Sequence, residues 1–219
     1  MTAQIGRKAP LLSVSDWVQG EPGNFDQLSD RVVLVEVFQV NCPGCFLYAL
    51  PQAIDLYQRY FDHGLSVLGV ATAFEDFDKN NLENLTRLLE KGEVIGETHR
   101  ALNQQGKLIA DRLPFNIPFP VAMDRLQKRQ TDITQGEIAI FINQRVPDFE
   151  QQTKPWQKKV WQQVEHYLQS LTYHAETFEL FNLQGTPSYI LVDKQGLLRD
   201  CGFGTHPDLE DKILALLQE

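Results

Sequence analysis

The apolar run Val32–Phe38 leads into Cys42-Pro43-Gly44-Cys45, and a helical pattern over Cys45–Phe61 follows directly. This arrangement constrains the fold more than any other part of the chain. The run is apolar on both parities with one polar interruption, Glu36, which marks a strand buried on both faces. Past the cysteines, Phe46, Leu50, Ile54, Tyr57 and Phe61 recur at spacings of three and four, which gives one apolar helix face. Pro51 falls inside that helix and removes one backbone donor, so a kink is expected there. Gly64 closes the helix and Leu65–Ala73 reads as a second buried strand. Strand, helix and strand make a βαβ unit with parallel strands and a right-handed crossover.

Two thiols separated by two residues can close a reversible disulfide. Their place at the junction of a strand and a helix matters, because the helix N-terminus offers unpaired N–H groups and a positive dipole end. Both favour a thiolate over a thiol.

The rest of the chain supplies further elements. Leu11–Val18 is a strand candidate, and Gly20-Glu21-Pro22-Gly23-Asn24 is a turn. Asn81–Leu89 is a helix, with a weaker helical pattern over Leu102–Leu113 that Pro114, Pro118 and Pro120 end. Phe119–Met123 and Glu137–Ile142 are expected to be strands, and Trp156–Phe181 one long helix with Pro155 in its first turn. Ser188–Val192 and Leu197–Phe203 form a hairpin around Asp193-Lys194-Gln195-Gly196, before a final helix over Asp208–Leu217. The expected class is α/β, a mixed central sheet flanked by helices.

Composition narrows the function classes. A chain of 219 residues with 42% hydrophobic and 22% charged residues suits one folded domain carrying an insertion. A net charge of −9 and a pI of about 5.0 predict neither a nucleic-acid nor an anionic-membrane partner. Cys42, Cys45 and Cys201 do not make a secreted disulfide scaffold. The first twenty residues hold no apolar core of signal-peptide length, and no run approaches a membrane span, so a cytoplasmic location is expected. One CxxC supplies two of the four ligands that zinc requires, and His63, His99, His166, His174 and His206 show no ligand spacing, so no metal is expected. Cys201 reads as a small apolar residue in the last strand.

Val32–Phe38, Cys42–Cys45, the helix with Pro51, Gly185-Thr186-Pro187 and Asp193–Gly196 together resemble the thioredoxin superfamily. The likeness is nearest to its thiol–disulfide oxidoreductases of the TlpA/ResA kind and to the thioredoxin-like domain of DipZ. The lead-in Ile5-Gly6-Arg7-Lys8-Ala9-Pro10 is similar to that of the same group and of peroxiredoxins. The resemblance covers 1–78, 115–124 and 176–219. It implies a single thioredoxin-like domain over 1–219, with a mostly helical insertion at 125–175 before the cis-proline.

Carried over from the family, Cys42 is the nucleophile and Cys45 resolves the mixed disulfide. Thr186 and Pro187 take the place of the cis-proline pair, beside which a substrate strand pairs. Glu36 takes the place of the buried acid that assists the resolving thiol, and burial in an apolar strand is expected to raise its pKa. No cofactor is implied. The implied partners are a protein or small-molecule disulfide substrate and an upstream thiol reductant. Asn41 stands where thioredoxins usually have Trp, and Pro51 sits one residue beyond the family's kink, which implies an altered substrate surface. Pro43-Gly44 brings no basic side chain to the thiols, which points away from a strong oxidant.

Two other classes compete with this reading. Peroxiredoxins place Pro and Thr upstream of their reactive cysteine, and the matching positions here are Val35 and Gln39. A binding module that retains the fold is the other, since the insertion carries Trp156 and Trp161 and has no counterpart in the family.

Overall fold

The computed structural model describes residues 2–129 and 133–219. In chain order its elements are β1 (Val14–Gln19), β2 (Val32–Phe38), α1 (Leu50–Tyr60), β3 (Leu65–Ala71), α2 (Leu82–Lys91), α3 (Gly96–Gln104), β4 (Val121–Asp124) and β5 (Leu126–Lys128). There follow α4 (Gln135–Arg145), α5 (Lys154–Ser170), β6 (Tyr173–Ala175), α6 (Glu176–Leu180), β7 (Ser188–Val192), β8 (Leu198–Phe203) and α7 (Leu209–Gln218). The chain divides into two compact units, Met1–Leu126 with Ala175–Glu219, and Gln127–His174.

The first unit is built on a six-stranded mixed sheet in the order β1-β4-β3-β2-β7-β8. β2 pairs in parallel with β3 and antiparallel with β7, which puts it inside the sheet with both neighbours bonded. All seven of its residues are buried. Val32, Leu34 and Phe38 pack on one face with Leu50, Ala53 and Leu56 of α1 and Ile213 and Leu216 of α7. Val33, Val35 and Val37 pack on the other face with Phe25, Phe178 and Phe181. Burial on both faces is why the strand shows no polar alternation in sequence. Truncating a fully buried contributor such as Leu56 to Ala is worth about 2–5 kcal/mol.

Pro51 is accommodated differently from the expected kink. Cys45–Ala49 forms a π-helical turn, and the α-helix starts afresh at Leu50. Pro51 therefore lies in the first turn of α1, where a missing N–H costs least. Gly64, at φ 102°, takes the left-handed conformation that ends the helical segment.

Two readings of the sequence are corrected in and around the second unit. Glu137–Ile142 is not a strand but lies inside α4. Thr134 and Glu137 form a reciprocal capping box at its start, and Ile138 and Ile142, four apart, face a small core with Val164 and Leu168. Those Thr134 bonds hold the Glu137 carboxyl below its usual range. The helix expected over Trp156–Phe181 is broken: α5 stops at Ser170, Tyr173–Ala175 pairs with β5, and a short α6 follows. Sheet pairing outweighs helix continuation at Thr172-Tyr173, residues that favour extended backbone. Trp161 packs against the small core, whereas Trp156 is half-exposed against Phe149.

Candidate active site

The chain leaves β2 at Phe38 and turns helical at Pro43, so the loop 39–42 projects from the C-terminal end of a buried strand. Each backbone position just before Cys42 is tied to the segment after β3. The Thr98 hydroxyl donates to the Val40 carbonyl at 2.9 Å, and the Asn41 N–H donates to Asn80 Oδ1 at 2.8 Å. The Asn41 side chain accepts from the Glu97 N–H and donates to Asp76 Oδ2, each at 2.7 Å. Asn41 is thus a bracket holding the Cys42 loop to the start of α3. Gly96 makes room for it: its φ is +53°, and a Cβ there would sit 2.3 Å from Asn41 Oδ1.

Cys42 and Cys45 are joined as a disulfide, with Cα atoms 5.5 Å apart. The two sulfurs differ in surroundings. Cys42 is 9% exposed and Cys45 0%. The Cys45 N–H, in the first helical turn, is shared between the Cys42 carbonyl at 3.1 Å and Cys42 Sγ at 3.3 Å. A donor fixed at that sulfur stabilises negative charge on Cys42 when the bond is reduced.

Thr186, followed by Pro187, lies against the same sulfur. Their peptide bond is cis, and the Thr186 carbonyl oxygen is 3.5 Å from Cys42 Sγ. The Pro187 carbonyl accepts from the Gly204 N–H at 2.8 Å, and the Ser188 hydroxyl donates to the Gly185 carbonyl at 2.7 Å, fixing the loop from both ends. A Cβ at Gly185 would lie 2.5 Å from the ring of the exposed Phe203, which would have to move aside.

Glu36 is in the middle of β2, between Gly69 and Tyr189, and shares the parity of Leu34 and Phe38. That face carries the core to which Cys42 and Cys45 both belong. Its side chain is buried, Oε1 has no hydrogen-bond partner among the described residues, and burial pushes the carboxyl well above its ordinary pKa. Cys201 is not part of the site. It stands in β8 opposite Ile190, and burial, with Asp200 adding to it, pushes its thiol up to about 12.

Gln39, Asn80 and Thr98 belong to this constellation but went unassigned in the sequence. Their only local signature is that Gln39 interrupts an apolar run, between Phe38 and Val40. Among the described residues no cluster of three or more His, Cys, Asp or Glu side chains is placed to hold a metal ion. No helix among them is long and apolar enough to cross a membrane.

No family model matches the chain. It is similar to a thiol-disulfide isomerase from Corynebacterium glutamicum at 26% identity, with 96% of this chain and 97% of that one covered and a TM-score of 0.59. A structure of a thioredoxin-like superfamily protein matches at a TM-score of 0.60 and 22% identity, over 98% of both chains, a likeness of fold. Protein DipZ from Mycobacterium bovis and from Mycobacterium tuberculosis is 33% identical over 78 residues, which is 34% of this chain but only 11% of the length of DipZ. The chain has a thioredoxin-like fold, and the close Cys42–Cys45 pair it carries fits a thiol–disulfide redox role.

Proposed function

We propose that the chain is a thiol–disulfide oxidoreductase of the TlpA/ResA kind that reduces protein disulfides through Cys42 and Cys45. The observation that carries this is the asymmetry of the pair: Cys42 has the exposure and the N–H donor, and Cys45 is enclosed. The Cys42 thiolate attacks one sulfur of a substrate disulfide, and the other sulfur leaves as a thiolate. Cys45 gives up its proton and attacks Cys42 Sγ, which closes the Cys42–Cys45 bond and expels the second substrate thiolate. Two electrons pass to the substrate, and a thiol reductant of lower potential returns them by the reverse exchange.

Glu36 serves the second step. A carboxyl whose proton affinity is raised by burial can take the Cys45 proton and return it when the disulfide is reopened. Thr186, beside Pro187, offers its backbone to an extended substrate segment across from Cys42. The isomerase named among the similar structures supports protein disulfides as the substrate class.

Residues 125–175 form, on this reading, an insertion in a single thioredoxin-like domain spanning 1–219. Structural matches that cover nearly the whole of both chains support it. The compartment is the cytoplasm, on the strength of one reactive pair and one shielded thiol, and cell fractionation tests it.

Incubation with a disulfide-containing protein tests the mechanism. Cys45→Ser should accumulate a mixed disulfide at Cys42, and Cys42→Ser none. Adducts on Cys45 alone would reverse the roles. Hydrogen peroxide turnover matching insulin reduction would favour a peroxidase instead.

A further inference from the structure

Gln39 is a long amide, 2% exposed, three residues before Cys42. Its Nε2 donates to the Glu75 carbonyl at 3.3 Å, and its Oε1 accepts from the Thr186 hydroxyl at 3.0 Å. The Glu75 carbonyl also accepts from Asn80 Nδ2 at 3.0 Å. These partners define the amide's orientation: only the NH2 end can face a carbonyl, so the oxygen must face Thr186. A hydroxyl has one proton to donate, and that of Thr186 is committed to Gln39. The same residue's backbone carbonyl is the oxygen 3.5 Å from Cys42 Sγ.

We propose that Gln39 is a positioning residue that sets the thiol–thiolate balance of Cys42 by holding the Thr186 carbonyl against it. The inference rests on Cys42 being the reactive thiol, as proposed above. Once the disulfide is reduced, two backbone groups oppose each other at this sulfur. The Cys45 N–H favours the thiolate. The Thr186 carbonyl, an acceptor with partial negative charge, favours the protonated thiol, which can donate to it. Releasing Thr186 from Gln39 lets the carbonyl draw back and leaves the N–H unopposed. The Cys42 pKa then falls. Stabilising the reduced form in this way makes the couple more oxidising. The same release loosens the backbone to which a substrate would pair.

Gln39→Met keeps the length and bulk of the side chain and removes both hydrogen bonds. Thr186→Val removes the hydroxyl from the other side, and Thr186→Ser keeps it. The readouts are the pH dependence of Cys42 alkylation in the reduced protein and the equilibrium of the couple with glutathione. Gln39→Met should raise alkylation below neutral pH about fivefold, the factor that one net hydrogen bond corresponds to, and move the glutathione equilibrium by a similar factor. Thr186→Val should do the same, the double variant should add nothing further, and Thr186→Ser should stay near wild type. If Gln39→Met fails to fold, Thr186→Val against Thr186→Ser carries the test. An unchanged or raised Cys42 pKa, or effects that multiply in the double variant, would overturn the proposal. A wild-type protein that forms no Cys42–Cys45 couple would instead overturn the oxidoreductase reading itself.

Discussion

Glu36→Gln tests the buried acid. Glu36 is buried and one of its oxygens has no partner among the described residues, so the native state holds its proton at a pH where the unfolded chain has released it. An acid with a raised native pKa contributes full stability below its unfolded value and loses it as pH rises toward its folded value. The native state binds one extra proton in that window, so stability falls by about 1.4 kcal/mol per pH unit from this group alone. The window opens near the ordinary value of 4.5 and closes at the raised native value. Gln has a similar shape and no proton to lose. Urea unfolding of both oxidised proteins at half-unit intervals from pH 4 upward isolates the term, because every other titrating group is common to both. The stability difference, Gln minus Glu, should be flat below that opening, climb at about 1.4 kcal/mol per unit within the window, and then level off. A constant offset from the new amide does not affect the slope. Parallel curves across the whole range would show that Glu36 titrates alike in both states, and the burial argument would fail.

Other substitutions probe the surroundings of the site. Gly96→Ala must adopt a left-handed conformation and push against Asn41 Oδ1, whereas Gly106→Ala shares the conformation with open space around it. The first should cost about 1–3 kcal/mol and clearly more than the second in thermal unfolding, and equal costs would remove the Asn41 bracket from the account. Cys201, with its thiol pushed up to about 12, should resist alkylation at pH 8 while Cys42 reacts, and a Cys201 adduct forming as fast by mass spectrometry would contradict the burial reading. Ile142→Ala opens the small core of the second unit and should cost about 2–5 kcal/mol there, read as faster hydrogen exchange in α4 and α5. Unchanged protection of those amides would mean that the unit does not depend on that core.

The parts of this architecture that were legible in the sequence are those specified locally. β2, α1 and β3 follow from two-sided burial and a helical period, and β7 and β8 from a turn between two apolar runs. The thiol pair was visible as spacing, and Thr186-Pro187 through family likeness. α4 was legible in principle, since Thr134 and Glu137 stand at capping-box spacing, but the alternation of Glu137–Ile142 read as a strand. The end of α5 depends on β5 and β6 pairing, and a periodicity over Trp156–Phe181 cannot register that. Gln39 was hidden for a similar reason. It bonds to residues 36 and 147 positions away, and no local pattern marks a side chain whose partners are that distant.

The redox role of the Cys42–Cys45 pair is best tested by equilibrating the protein with graded ratios of reduced and oxidised glutathione, then counting free thiols and locating the bond by mass spectrometry. One two-electron transition joining Cys42 to Cys45 is expected, with Cys201 free throughout and a potential at or below about −220 mV, in the range of a reductase. A much higher potential would make the protein an oxidant. Failure of Cys42 and Cys45 to interconvert at all would contradict the account outright.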